Sequence, residues 1–565
     1  MEKKWVIKDA PQESKVAELS KAINVNPYLS KILLQRGVDT FEKAKDFFRP
    51  SLDHLHDPFL MKDMDRAVNR LTDAVFNDEK ILIYGDYDVD GTTSVSLLYL
   101  FLSQFSSNLE FYVPDRYTEG YGISEKGIDY AIANEFHLVI ALDCGIRAVE
   151  RASQAREAGL DMIICDHHLP GEELPDALAV LDPKREDCSY PFKELSGCGV
   201  GFKLLEGFCQ QNTLEKEKLF EFLDLLAVSI ASDLVPIVGE NRVFAHYGLK
   251  KLNEAPSAGL KSLIEVSGRK HKFNVSDVVF SIGPRINAAG RLSHAKESVN
   301  LLINDGKKTS NYAHDLNDRN NERRSFDQSI TAEALEMIDE IQEERKSTVL
   351  YKEDWHKGVI GIVASRCIEH HYKPTIILTK SNGKATGSAR SVDGFDLYTA
   401  ISECSDLLEQ YGGHRHAAGL TLPVENIKKL QDRFEEVVSK MILPDQLIPK
   451  VMIDTEISLS HISFKTFNIM NQMAPFGPQN IAPVFATKGV VVDEMPTVLK
   501  DAHIKGFVRE PSDTRRHEFI GFGLADKLDL IKVREPFDIA YHLEENNYLG
   551  NRTLVLNLKD IRLDA

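Results

Sequence analysis

Paired cysteine spacings are missing from all 565 residues: Cys144, Cys165, Cys188, Cys198, Cys209, Cys367 and Cys404 are odd in number, scattered and never separated as Cys-x-x-Cys. That fits reduced thiols in a cytosol and argues against a disulfide scaffold or a structural zinc site. Long apolar runs are missing too. The start, Met1-Glu2-Lys3-Lys4-Trp5-Val6-Ile7-Lys8-Asp9, has no apolar core of signal-peptide length, and no later apolar stretch is long enough to span a bilayer. A soluble, unexported, cytoplasmic protein with no membrane partner is expected. Repeats and low-complexity tracts are absent. So is a Gly-x-x-x-x-Gly-Lys-Ser/Thr phosphate loop, which leaves no sign of coupling to ATP hydrolysis. Basic residues are in deficit: 68 Lys and Arg against 86 Asp and Glu leave a net charge of −18. Proteins that coat nucleic acid rely on Lys and Arg, so that role is disfavoured, whereas an enzyme holding divalent cations needs clustered acids and can keep a local basic groove.

What is present reads as a folded chain of several domains, with 43% hydrophobic and 27% charged residues. Residues 1–70 are expected to be a helical region. From Lys80 short apolar runs alternate with helical stretches, the pattern of an α/β fold with a mainly parallel sheet, over a domain of residues 71–300. The strand candidates are Ile81–Tyr84, Phe111–Val113, Leu138–Leu142, Met162–Cys165 and Ala177–Leu181. Between them lie helix candidates at Thr92–Phe105, with Thr92 or Thr93 as its cap, and at Ala148–Ala158. Lys308–Glu344 contains no Gly or Pro, and Phe326, Ile330, Ala334, Ile338 and Ile341 recur at helical spacing, which predicts a long connecting helix within 301–345. A second α/β domain is expected over 346–445, with strands at Thr348–Tyr351, Thr375–Leu378 and Ala417–Leu420. Residues 446–565 alternate as short strands and suit a small β-barrel, an OB fold being one option.

Three strand candidates end in acids. Ile81–Tyr84 runs into Gly85-Asp86-Tyr87-Asp88-Val89-Asp90-Gly91, Leu138–Leu142 into Asp143, and Met162–Cys165 into Asp166-His167-His168. The carboxyl ends of strands in an open α/β sheet form its ligand crevice, so these groups should converge. Carboxylates crowded together repel unless cations neutralise them, and oxygen-rich ligation with imidazole favours Mn²⁺, with Mg²⁺ or Co²⁺ as alternatives. Each piece alone is weak. The Asp-x-Asp-x-Asp-Gly loop is not an EF-hand, because Leu97 stands where that loop needs Glu. A lone His-His is usually surface or core.

Together, Asp166-His167-His168 after an acidic first motif resembles the signature of the DHH phosphoesterases, and Ala231-Ser232-Asp233-Leu234-Val235-Pro236 is similar to a further metal motif of that superfamily. The resemblance implies two Mn²⁺ or Mg²⁺ ions sharing a carboxylate: Asp86, Asp88 and Asp143 at one, and Asp90, Asp143, His167 and Asp233 at the other. It also implies that Asp166 orients a ligand and His168 faces the scissile phosphate. Asp224 is expected to pack a helix or lie behind the ligands.

Within the superfamily, Gly283-Pro284-Arg285-Ile286-Asn287-Ala288-Ala289-Gly290-Arg291 resembles the RecJ family. So do Leu316–Arg324 and Ala474-Pro475-Phe476-Gly477-Pro478-Gln479-Asn480, while the Trp355–Arg366, Thr386–Ser391 and Gly412–Gly419 segments resemble the DHH-associated substrate domain. Gln479 departs from the family, which often has Gly there. The resemblance implies 5′-to-3′ exonuclease action on single-stranded DNA in recombination and repair, beside a helicase and a single-strand DNA-binding protein. Arg285 and Arg291 would grip phosphate and take part in catalysis, and Arg116, Asn287, Ser388, Arg390, His414 and His416 would bind the strand, with Arg116, Ser388 and Arg390 reading its 5′-phosphate. The competing readings are a DHH nanoRNase or phosphatase acting on short nucleotides, an inactive DHH scaffold in a replication complex, and a DNA-binding module without hydrolysis.

Overall fold

The computed structural model describes residues 2–341, 344–548 and 550–563. The chain divides into two compact units, residues 40–321 with 472–482, and residues 1–39 with 322–471 and 483–565.

The first unit is built on five parallel strands in the order Leu109–Tyr112, Ile81–Gly85, Leu138–Leu142, Asp161–Cys165, Ala179–Leu181. Every residue of Ile81–Gly85 and Leu138–Leu142 is buried, as expected when helices cover both faces of a parallel sheet. Ile81 and Ile83 pack one way, with helices Met64–Phe76, Val89–Leu102, Gly197–Gln211 and Leu223–Ser232. Leu82 and Tyr84 pack the other way, with Glu125–Ala133 and Val149–Glu157. The first strand has its successor on one side and the third strand on the other. The direction of winding therefore reverses between Ile81–Gly85 and Leu138–Leu142, which places a crevice at their carboxyl ends.

Helix Val89–Leu102 begins three residues before the expected Thr92. Asp88, not a threonine, caps it by accepting from the Gly91 N–H at 3.0 Å. The Thr92 and Thr93 hydroxyls instead donate back to the Asp88 and Val89 carbonyls, a use open to buried hydroxyls inside a helix. Gly283–Leu292 is a helix, entered through a π-helical turn at Val278–Ile282. Asp224 is fully buried and accepts from the Ser257 and Leu225 N–H groups, a packing role.

In the second unit, a five-stranded sheet runs in the order Gln410–His414, Ala417–Leu422, Lys384–Arg390, Thr375–Ser381, Thr348–Tyr351. Helix Ile360–His371 packs on Thr375–Ser381 and Lys384–Arg390. A seven-stranded, mostly antiparallel sheet occupies the C-terminal region, centred on Phe537–Tyr548 and Asn551–Leu563. Residues 1–70 are not one helical piece. Lys4–Ile7 is a strand pairing in parallel with Lys450–Ile453, and residues up to 39 group with the second unit. The long helix spans Gly306–Asp339, short of the expected Glu344; Gln342 and Glu343 lie outside the described residues. Among the described residues no helix is long and apolar enough to cross a membrane. All seven cysteines are buried and free.

Candidate metal centre

The acids expected to converge do so. Asp86, Asp88 and Asp143 bring one carboxylate oxygen each within 4.8 Å of one another. Asp90, His167 and Asp233 form a second such group, and Asp143, His167 and His168 a third. Asp143 belongs to two of the three, as a carboxylate shared between ions must. Its backbone takes a left-handed φ of 60°, anchored by its N–H on the Cys165 carbonyl at 2.9 Å, which turns the side chain over the sheet's end. Gly197 packs against it so closely that a Cβ there would stand 2.5 Å from the Asp143 Cβ.

Whether these residues fit cations is decided by what they lack. Asp86 Oδ1, Asp143 Oδ1 and both ring nitrogens of His167 are buried without a hydrogen-bond partner. His167 Nε2 lies 3.2 Å from Asp143 Oδ1 and 3.6 Å from Asp233 Oδ2, close enough to share an ion but not aligned for a hydrogen bond. Orphaned buried acceptors are costly, and a divalent cation satisfies them. Burial and neighbouring acids push Asp86, Asp143 and Asp233 well above the usual carboxylate range, while burial holds His167 down to about 4, so it is the neutral imidazole that a metal needs. The residues fit two ions.

Asp90 differs from the rest. Both its oxygens already accept: Oδ2 from the Gly197 N–H at 2.7 Å, and Oδ1 from the Cys198 N–H at 2.8 Å and the Ser229 hydroxyl at 2.7 Å. It fastens the acidic loop to the start of helix Gly197–Gln211, leaving less capacity for a cation than Asp86 or Asp143 has. Asp166 is likewise saturated, by the N–H groups of Ile146 and His167 and by His168 Nδ1 at 2.7 Å. Burial would raise its pKa, but these donors outweigh it and hold the carboxyl at about 2. It orients His168, whose side chain is 44% exposed.

Sequence reasoning missed Tyr121. Its hydroxyl lies 3.2–3.3 Å from the His168 ring nitrogens and 3.3 Å from the Asp143 carbonyl oxygen. The signal was an aromatic residue set between Gly120 and Gly122, both at positive φ. Asp182, fully buried at the end of the last strand with Oδ2 unpartnered and a pKa raised to about 7 mainly by burial, was missed as well.

Arg116 lies over the Tyr87 ring at 5.0 Å, and its charge favours the ionised form of Asp86. Helix Gly283–Leu292 presents Arg285, bonded through Nη1 to the Ser281 carbonyl and through Nε to Asn317, along with half-buried Asn287 and Arg291. Tyr117 donates to the Arg291 carbonyl.

Ser388, Arg390, His414 and His416 belong to the second unit. In register, Arg390 pairs with Ala417, which pairs in turn with His414, and Ser388 pairs with Gly419, which pairs with Gly412, on a face with open space above Gly412. Arg390 Nη1 donates to the Ser388 hydroxyl at 2.9 Å. Gly361, near the start of helix Ile360–His371, lies against both side chains. The His414 and His416 rings are 5.9 Å apart.

Residues 80–230 match the DHH family N-terminal domain, 344–440 the DHHA1 domain and 453–560 the RecJ OB domain. The single-stranded-DNA-specific exonuclease RecJ of Bacillus subtilis is 36% identical over 562 residues, covering 99% of this chain and 70% of its own. The chain belongs to the RecJ family. The RecJ of Escherichia coli is 30% identical over 557 residues, covering 95% of this chain and 96% of its own. The crystal structure of Thermus thermophilus RecJ with Mn²⁺ superposes with a TM-score of 0.85 at 25% identity, covering all of this chain and 80% of that one. RecJ membership carries the enzyme class, a metal-dependent nuclease, and identifies the C-terminal sheet as an OB domain. Gln479, where the sequence departs from the RecJ pattern, sits at φ 58°, a conformation that favours glycine.

The stability of the chelated protein should report these acids. Because burial raises the folded-state pKa of Asp86, Asp143 and Asp233, their contribution is full at low pH and lost as pH rises past the ordinary carboxylate range. His167 works the other way: its stability is full above the usual histidine value and lost as pH falls toward about 4. Protons compete with cations at both kinds of group, so the rise in Tm on adding Mn²⁺ to the chelated protein should be larger at pH 8 than at pH 5.5, by differential scanning fluorimetry. At a hundredfold excess over Kd the stabilisation should be about 2.7 kcal/mol for each ion bound.

Proposed function

We propose that the chain is a single-stranded-DNA exonuclease that hydrolyses phosphodiester bonds at a two-cation centre and proceeds 5′ to 3′ in recombination and repair. The observation that carries this reading is the cluster of buried, unpartnered carboxylate oxygens and imidazole nitrogens around Asp143. Near full-length similarity to RecJ enzymes named for single-stranded DNA supports it. Asp86, Asp88, Asp143, His167 and Asp233 would hold Mn²⁺ or Mg²⁺, with Asp90 as a lesser or indirect contributor. When bound, the two ions supply the charge that activates water and offsets charge developing on the phosphodiester oxygens. Asp166 holds His168 by Nδ1 and the Tyr121 hydroxyl lies against the ring, and the half-exposed imidazole they steady would face a phosphate oxygen. Arg285, Asn287, Arg291 and Arg116 supply the donors that align the strand. Arg390, Ser388, His414 and His416 line a surface for the 5′-phosphate. Cytoplasmic residence and work beside a helicase and a single-strand DNA-binding protein complete the proposal.

A substrate panel separates this reading from a short-nucleotide hydrolase. With Mn²⁺, long single strands should be degraded much faster than blunt duplex, RNA or dinucleotides. Preferential turnover of dinucleotides would replace it with the nanoRNase reading.

A further inference from the structure

The Ala474–Asn480 motif takes no part in the chemistry above. Yet residues 472–482 fold with the metal-binding unit, although the chain up to Asn471 and from Pro483 belongs to the other. The motif closes on itself. Gly477 and Asn480 exchange backbone hydrogen bonds at 3.1 and 2.9 Å, and the buried Asn480 side chain donates to the Met473 and Pro475 carbonyls.

Two anchors hold this loop. Arg242, 5% exposed, stacks 3.9 Å over the Phe47 ring and donates to the Phe47, Met473 and Ala474 carbonyls at 2.9, 2.9 and 3.0 Å. On the other side the Pro478 carbonyl accepts the Ile237 N–H at 2.8 Å, and a Cβ on Gly477 would stand 2.5 Å from Ile237 Cγ1.

Ile237 ends the short loop that begins at Asp233. Asp233 is fastened by its N–H to the Ser229 carbonyl at 2.9 Å. Asn241, beside Arg242 in sequence, holds the Pro236 carbonyl at 3.1 Å. Leu234 between them is 56% exposed at φ 57°, and Val235 after it is buried in the core. Beyond Val235, the far end of the loop is set by Asn241 and by the Gly477–Pro478 contact.

We infer that the Ala474–Asn480 loop is a positioning element for Asp233, with Gly477, Pro478 and Arg242 as its working parts. The inference rests on the two-cation reading of the site. A metal-binding carboxylate must be held within about 0.5 Å of its productive place. Carbon atoms meet at about 3.5–4.0 Å, so a methyl on Gly477 displaces Ile237 by roughly 1 Å or more, and the tethered loop passes that shift to Asp233.

Mn²⁺ titration calorimetry and thermal unfolding of full-length Gly477→Ala test this. Wild-type protein should bind two ions. Gly477→Ala should keep one near its original affinity and bind the other about 10- to 100-fold more weakly, the loss typical when a ligand's support is removed. The double variant Gly477→Ala/Ile237→Ala, which removes the opposing Cγ1, should recover most of that affinity. A folded Gly477→Ala protein that binds both ions as wild type does, whatever its Tm, would overturn the inference. If Gly477→Ala does not fold, Arg242→Lys gives the same readout, because the three donors of an ammonium radiate from one nitrogen and cannot span the Phe47, Met473 and Ala474 carbonyls that the two guanidinium arms reach. Asp233→Asn separates the two levels: if it too leaves both ions bound, the metal reading fails instead.

Discussion

Asp143→Ala should abolish hydrolysis while leaving the fold intact. Among the described residues, Asp143 is the one carboxylate present in two of the groupings, so its loss removes support from both ions. The fall in kcat should exceed the ~10²–10³-fold that loss of one electrostatic contact to a transition state costs. Stability should move the other way. In the metal-free protein this buried group is repelled by Asp90, Asp88, Asp233 and Asp86, so the chelated variant should melt no lower than chelated wild type. Near-normal turnover of the purified variant with Mn²⁺, or a collapse of its metal-free Tm, would contradict the assignment.

Arg390→Ala should erase most of the preference for a 5′-phosphate over a 5′-hydroxyl end. A terminal phosphate offers more charge and more acceptor oxygens than an internal one, and a guanidinium steered by the Ser388 hydroxyl, near the N-terminal turn of a helix, suits both. Charge-assisted hydrogen bonds contribute about 1.5–3 kcal/mol, so the ratio of kcat/KM for the two ends should fall roughly 10- to 100-fold. Mn²⁺ affinity should be unchanged. Equal loss on both ends would remove Arg390 from end recognition.

The cluster of acids and His167 was legible because strand ends in a parallel sheet must meet, so Asp86, Asp143 and His167 could be placed together from apolar runs alone. The particular work of Asp90 was not. Its donors, Gly197, Cys198 and Ser229, lie more than a hundred residues away and carry no pattern that points back to it. Composition likewise disguised Gly283–Leu292. Gly, Pro and Asn read locally as a turn, yet tertiary packing makes the segment a helix, with proline just after the π-helical turn, where the regular hydrogen-bond ladder is already interrupted. Lys4–Ile7 was hidden for a related reason. Four residues give too little alternation to mark a strand, and the partner, Lys450–Ile453, is far along the chain. Motif resemblance located Ala474–Asn480 but not its docking on the Asp233 loop, which depends on a backbone contact that no side-chain pattern records.

Directional hydrolysis of a single strand at this cation centre has a direct test. The most direct measurement is digestion of one single-stranded DNA, labelled at its 5′ end in one sample and its 3′ end in the other, with Mn²⁺ and with a chelator. The 5′ label should appear at once as the smallest product, the 3′ label should persist on progressively shorter strands, and both should stay intact in the chelator. Early release of the 3′ label, or equal loss of both labels through internal cuts, would contradict the account.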